Sequence, residues 1–246
     1  MTLGGKVVIV TGGSRGLGKA MVEAFAERGA TVVIASRKLE NCVSLAEQVS
    51  NRHAVKALPV GCNVSDWAQC DALIETVYDA YGRVDVLVNN AGLSPLYPSL
   101  DQVTESLFDK VIGVNLKGPF RLASVIGARM AAGDGGAIIN ISSIAAIRPG
   151  AEALPYAAAK AGLNALTEGL AQTYGPKVRV NAIQCGPFLT DISTAWPAET
   201  RAQLEESLAL GRCGEPEDVV GAALYFATDA SAFCTGAVLR LDGGAR

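Results

Sequence analysis

Thr11-Gly12-Gly13-Ser14-Arg15-Gly16-Leu17-Gly18 is the stretch on which the reading of the fold turns. The apolar run Val7-Val8-Ile9-Val10 leads straight into it. A helical pattern leaves it, with Ala20, Met21, Ala24 and Phe25 on one face, and stops at Gly29. A strand, a glycine-rich turn and a helix set free backbone N–H groups at a helix N-terminus, the geometry that receives a phosphate. Side chains would block that approach, so glycine is the residue type required. The spacing of Gly12, Gly16 and Gly18 is not G-x-G-x-x-G, and glycines alone also fit an ordinary tight turn. Context decides: a second apolar run, Thr31 to Ala35, follows and closes a βαβ unit.

Outward from this unit, strand and helix patterns alternate to the end of the chain. Strands are expected at 7–10, 31–35, 55–60, 84–88, 137–141, 178–183 and 237–241. Helices are expected after Lys38 to about Ser50, from Asp66 to Tyr81, from Thr104 to Ala131 and from Tyr156 to Tyr174. Such alternation predicts an α/β fold, a Rossmann-type doubly wound parallel sheet of about seven strands with helices on both faces. No linker or composition shift divides the chain, so a single domain over 1–246 is expected.

Bulk properties exclude several classes. Half of the 246 residues are hydrophobic and 18% are charged, which favours a large core over disorder. A formal net charge of -3 argues against nucleic acid or an anionic membrane as partner. No signal-peptide pattern precedes the first strand, and no apolar run approaches the ~18 residues of a membrane span, so a cytoplasmic protein is expected. The six cysteines, at 42, 62, 70, 185, 213 and 234, include no C-x-x-C pair and read as reduced core residues. One histidine, His53, leaves no material for Ser-His-Asp chemistry or a His-ligated metal, and no metal site is expected.

The end of the second strand selects between two dinucleotides. NAD-binding folds place an acidic residue there for the ribose hydroxyl, whereas this chain has Ser36, Arg37 and Lys38, with no carboxylate before Glu40. Arg15 adds a further cation from the glycine turn, and guanidinium groups suit a 2′-phosphate. NADP(H) is therefore favoured over NAD(H). Asn63 and Val64 follow the third strand, and Asn89, Ala91 and Gly92 lie at the end of the fourth. Carboxyl ends of parallel strands are where ligands bind, although amides and glycines also make plain turns.

Ser143 and Tyr156-Ala-Ala-Ala-Lys160 carry the chemistry. Tyr156 and Lys160 are four residues apart and project from one helix face. A free phenol titrates near 10, and bringing it to ~7 takes about 4 kcal/mol of differential phenolate stabilisation. A nearby ammonium and a positive nicotinamide ring are of the order to supply that, which would make Tyr156 a general acid/base with a lowered pKa. Ser143, at the end of the fifth strand, would hydrogen-bond the substrate oxygen.

These residues resemble the short-chain dehydrogenase/reductase family, and the resemblance spans essentially the whole chain. It rests on the Thr11–Gly18 turn, Asn89-Asn90-Ala91-Gly92, Val114-Asn115, Ile141-Ser142-Ser143, Tyr156 with Lys160, Asn181, Thr235-Gly236 and Asp242-Gly243-Gly244, all in family order. It implies an NAD(P)-dependent oxidoreductase acting on a ketone or secondary alcohol. Tyr156 would be the acid/base, and Lys160 would lower its pKa and bind the nicotinamide ribose. Ser143 would polarise the carbonyl, and Asn115 would hold a water that relays protons to Lys160. Asn115 also reads as a residue that merely interrupts a helix after Gly113. With Gly12, Ser14, Arg15, Gly16, Leu17, Gly18, Ser36, Arg37, Lys38, Asn63, Val64, Asn89, Ala91 and Gly92, the expected cofactor residues include Gly186, Phe188 and Thr190. Two departures from the family pattern stand out. Cys185-Gly186 replaces a common Pro-Gly and would make the site sensitive to thiol reagents, and Asn63 stands where Asp is frequent.

Stretches 93–100, 144–155 and 188–210 are expected to line the substrate side, with Leu93, Leu96, Tyr97, Ile144, Leu154, Phe188 and Trp196 forming an apolar pocket. The resemblance extends to 3-oxoacyl-carrier-protein reductases; the neutral and acidic stretches at 132–135 and 170–172 do not suit an acidic carrier protein, while Arg129 and Lys177 leave such docking open. Small residues on the 104–131 and 156–174 helices, with the family resemblance, imply a homotetramer. An NAD-linked alcohol dehydrogenase of the same family and a non-catalytic NADP(H) sensor remain as alternatives.

Overall fold

A computed structural model describes residues 2–191, 193 and 198–245. Seven strands form one sheet in the order β3-β2-β1-β4-β5-β6-β7. They are β1 Val7–Thr11, β2 Thr31–Ser36, β3 Ala57–Gly61, β4 Val86–Asn89, β5 Gly136–Ser143, β6 Val178–Cys185 and β7 Val238–Leu241. Every neighbouring pair is parallel. Strand order reverses between β1 and β4, so a crevice opens beyond their carboxyl ends.

Alternation along the strands builds two cores, one on each face of the sheet. Val8, Val10, Val32, Ile34, Val88 and Ile139 pack against α1 (Gly16–Glu27), α2 (Leu39–His53) and α8 (Val220–Ala227). Val7, Ile9, Val33, Leu87, Ile138 and Val180 pack against α3 (Trp67–Tyr81), α5 (Gly118–Ala132) and α6 (Leu154–Tyr174). Val8, Ile9, Val10, Leu87 and Val88 are wholly buried, as expected of strands covered on both sides. The doubly wound architecture inferred from the sequence is the one observed.

The helix expected over 104–131 differs. It is α4 (Glu105–Ile112), one wide π turn over Gly113–Lys117, then α5, with Pro119 in the first turn of α5. Asn115 sits in the π turn, where widened hydrogen bonding lets a side chain reach backbone groups that a regular helix would keep. Two helices had no clear sequence signal: α7 (Ala198–Ser207), inside the stretch expected to be a substrate loop, and α8, whose eight residues are nearly all apolar and show no periodic face.

Asp85, at the entrance to β4, ties the bottom of the sheet. Its carboxylate accepts from the Val7 N–H (2.9 Å), Lys6 Nζ (3.2 Å) and Arg83 Nε (3.0 Å), while its residue is only 4% exposed. Burial pushes this carboxyl up, but the bonds from Arg83, Val7 and Lys6 together outweigh it and hold it below the ordinary range. Asp85→Ala should cost about 3 kcal/mol in urea unfolding at neutral pH. Because the folded-state pKa is depressed, the wild-type advantage should persist above the unfolded carboxylate pKa of about 4 and vanish as pH falls through the folded value.

Candidate active site

The crevice is stitched together at the switch point. Thr11 Oγ1 accepts from the N–H groups of Asn90 (3.0 Å) and Ala91 (3.1 Å) and donates to the Val88 carbonyl (3.2 Å). Asn90 Nδ2 donates to the carbonyls of Thr11 (2.8 Å) and Gly12 (3.2 Å). The glycine turn and the turn after β4 are therefore one rigid unit. Gly12 and Gly16 take φ values of +62° and +51°, and a Cβ on Gly12 would stand 2.9 Å from the Ala91 Cα. A Cβ on Gly18 would collide with the Gly12 carbonyl oxygen, so this third glycine serves the packing of helix against turn. The first turn of α1 has no side-chain cap, which leaves its N–H groups directed at the crevice. Such a cradle fits the phosphates of a dinucleotide.

The cation cluster expected for the adenosine end is partly assembled. Ser14 Oγ hydrogen-bonds Ser36 Oγ (3.0 Å), joining the glycine turn to the end of β2 and placing Arg15 and Arg37 each one residue from that contact. Arg15, Arg37 and Lys38 are exposed, and Arg15 lies 3.7 Å from the Asp191 carboxylate. Leu17 is partly buried against the core beneath.

Asn63, Val64, Asn89 and Phe188, all expected at the cofactor, have their side chains engaged within the protein. Asn89 points away from the crevice: its Nδ2 donates to Asn140 Oδ1 (2.9 Å), and Asn140 donates to Thr167 Oγ1 (2.9 Å) beneath α6. The neighbouring Asn90, on the opposite side of the strand end, is the amide that faces the glycine turn. Asn63 Oδ1 is taken by the Ser65 N–H (3.3 Å) and Oγ (3.0 Å) in a local turn, and so is not directed at an adenine amine. The side chains of Val64 and Phe188 are buried in the two cores, which leaves only their backbones for the crevice. Gly186 is small because a Cβ would meet the Asp242 Cα at 2.7 Å, while Thr190 overhangs the glycine turn 3.4 Å from where a Gly16 Cβ would lie.

Ser143, Tyr156 and Lys160 converge at the carboxyl end of β5. Ser143 Oγ accepts from the Ala145 N–H (3.2 Å), and Lys160 Nζ donates to the Ile141 carbonyl (2.7 Å) while lying 5.6 Å from the Tyr156 ring centre. Asn115 comes to the same place: a Cβ on Gly92 would be 3.4 Å from its Oδ1 and 4.0 Å from Lys160 Nζ. Its amide is already engaged, donating to the carbonyls of Leu93 (2.7 Å) and Val111 (2.9 Å) and accepting from the Leu93 N–H (3.2 Å). Both readings of Asn115 thus have a basis, since it breaks the helix and stands beside Lys160.

The expected lowering of the Tyr156 pKa is not found in the protein alone. Desolvation pushes the phenol up to about 12, against a smaller downward pull from the Ser143 hydroxyl. Burial pulls the Lys160 ammonium down to about 8. Desolvation disfavours the charged form of each group, so the two move in opposite directions. Cys185, in register with Ser143 on β6, is buried and its thiol is pushed up to about 12, so a reactive thiol at this position is also not found. Of the apolar pocket residues, Tyr97 joins Pro95, Leu107, Val111, Ala153, Pro155 and Tyr156 around a narrow cleft, whereas Leu96 is 77% exposed and Trp196 lies outside the described residues. Thr11 and Asn90 were missed as functional residues, although both stood in the quoted motifs. Among the described residues there is no cluster suited to a metal, and no helix is long and apolar enough to cross a membrane.

A parallel sheet with an uncapped, glycine-lined helix at its switch point, and with Tyr, Lys and Ser beside that crevice, defines a dinucleotide-dependent oxidoreductase of the Rossmann type. Comparison with known proteins agrees. The sequence profile described as enoyl-(acyl carrier protein) reductase matches residues 12–246. A 3-oxoacyl-[acyl-carrier-protein] reductase of Thermotoga maritima is 38% identical, with 99% of each chain aligned. The L-rhamnose 1-dehydrogenase (NAD(P)(+)) of Azotobacter vinelandii is 39% identical over 99% of this chain and 98% of its own. The crystal structure of a short-chain type dehydrogenase/reductase from Mycobacterium marinum superposes with a TM-score of 0.93 at 30% identity, covering 99% of this chain and 96% of that one. The chain belongs to the short-chain dehydrogenase/reductase family, whose members use nicotinamide cofactors.

Lys160 offers a pH test on the ligand-free protein. Its folded pKa, about 8, lies below the ordinary lysine value, so the unfolded chain binds more protons between pH 8 and 10.5. Stability from this group should therefore rise with pH across that window, by on the order of 3 kcal/mol. In denaturation curves measured every half unit of pH, the stability of wild type relative to Lys160→Met should rise across that window, which separates this group from the opposite contributions of Cys185 and Tyr156.

Proposed function

We propose that the chain is an NADP(H)-dependent ketoreductase that interconverts a ketone and a secondary alcohol. The observation that carries this reading is the convergence of Ser143, Tyr156 and Lys160 beside the glycine-lined crevice. A reduced nicotinamide, when bound, supplies the hydride. Ser143 would orient the substrate oxygen by hydrogen bonding, and Tyr156 would give that oxygen its proton. A phenol held near 12 keeps its proton at neutral pH, the form that reduction requires. Lys160, next to the ring, would stabilise the phenolate left behind, and Asn115 would help to return a proton to it through water. The Ile141 carbonyl holds the ammonium in place.

NADP(H) rather than NAD(H) is supported by the absence of a carboxylate at the end of β2 and by the three exposed cations around the Ser14–Ser36 contact. The apolar residues of the loops beside Tyr156, Leu93, Leu96, Tyr97, Ile144 and Leu154, support a neutral, moderately apolar ketone over a polyanionic one. A homotetramer is supported by an uncovered groove between Ile112, Leu116, Lys117, Gly162, Leu166 and the half-exposed Phe120 on the α5 and α6 side. A cytoplasmic location is part of this reading.

NADPH consumption with a panel of 3-oxoacyl thioesters, cyclic and aromatic ketones, diketones, steroids and sugar ketones should find turnover. Tyr156→Phe should lose about a thousandfold in kcat/KM without weakening NADPH binding. Arg37→Ala should raise the KM for NADPH about tenfold and leave that for NADH unchanged, as removal of one charge-assisted hydrogen bond predicts. Light scattering at micromolar concentration should give four times the chain mass, and a clean monomer would contradict the tetramer.

A further inference from the structure

The loop that follows β4 is fastened at two points. At its start, the Leu93 backbone both accepts from and donates to the Asn115 amide, at 2.7 and 3.2 Å. Further along, the half-buried Tyr97 phenol accepts from the Leu154 N–H at 2.9 Å and donates to the Ala151 carbonyl at 2.6 Å. Leu154 is the first residue of α6, the helix that carries Tyr156 and Lys160. That helix has no cap of its own, because Ala153 at the cap position offers no side-chain acceptor. Tyr97 supplies the missing acceptor from 57 residues away in sequence.

We propose that Tyr97 is a positioning residue for Tyr156, the last link of a strut running from Asn115 through Leu93 and the loop to the first turn of α6. The proposal rests on the reading of Tyr156 as acid/base. A phenol suits the place because one hydroxyl can donate and accept at once, while its ring fills the cleft with Pro95, Leu107, Val111 and Pro155. Phenylalanine would keep the ring but leave the Leu154 N–H and the Ala151 carbonyl without that partner. The first turn of α6 would then fray, and more water would reach the partly exposed Tyr156 phenol, which desolvation now holds up. Asn115, beside Lys160, and Tyr156 are thereby linked through one short loop.

Tyr97→Phe tests this with three readouts beside an NADPH-binding measurement that verifies folding. Amide exchange in the 151–157 segment should quicken while α1 is unchanged. The kcat for ketone reduction should fall about tenfold or more with NADPH affinity intact, as slight misplacement of a reacting group predicts. The basic limb of the kcat profile should also move to lower pH, because a better hydrated phenol ionises more easily. Unchanged exchange overturns the strut. Faster exchange with kcat, KM and the basic limb all within about twofold of wild type overturns the positioning role. If the wild-type chain reduces no ketone, the ketoreductase reading fails by itself, and titration of the Tyr156 phenol by tyrosine-labelled NMR decides the strut. A lower value in Tyr97→Phe supports it and an identical value overturns it.

Discussion

Everything at the site depends on how Thr11 closes the switch point. Two parallel strands that run side by side and then diverge leave backbone N–H groups facing a gap, and unpaired buried groups are costly. The Thr11 hydroxyl takes two of them, from Asn90 and Ala91, and the Asn90 amide returns bonds to the Thr11 and Gly12 carbonyls. With those four groups paired within the protein, the first turn of α1 remains uncapped and available to an anion. The glycines follow from this closure, since side chains at Gly12 or Gly18 would strike backbone that the stitching holds fixed.

On the other side of the crevice, burial works against charge. Desolvation moves Tyr156 and Lys160 toward their neutral forms, to about 12 and about 8. A neutral phenol is a proton donor in waiting, which fits reduction better than oxidation. For the reverse reaction at neutral pH the phenolate must be reached from about 12, a cost of about 7 kcal/mol if nothing else changes. Opposite charge brought close in a low-dielectric site is the one influence of that size available. In the proposed mechanism, charge entering with an oxidised cofactor would lower this cost.

The fold was largely legible because each strand is a continuous apolar run and each crossover helix is amphipathic, so periodicity and order together left few topologies. The proposed catalytic set stood out for a different reason: a tyrosine and a lysine four apart on a helix are by themselves an ordinary surface pair, and it is the glycine turn together with Ser143 at a strand end that points to chemistry. What escaped shares a physical character. Asn89 and Asn90 are adjacent amides, and only the register with Asn140 shows that the first is committed to the interior. Tyr156 has a cation nearby, and sequence reveals that partner but not the desolvation that pushes the phenol up. The eight-residue α8 is apolar on nearly all sides, which erases a helical period. Tyr97 acts on a backbone group 57 residues distant, and no local pattern marks such a bond.

The most direct test of this account is a titration of the Tyr156 phenol, followed by tyrosine-labelled NMR with Tyr156→Phe to assign the signal, first in the protein alone and then with saturating NADP+. The account predicts a value near 12 in the free chain that falls by several units once the positively charged cofactor is bound. A phenol that titrates at the same pH in both states would contradict it, because the crevice and the acid would then not be parts of one site.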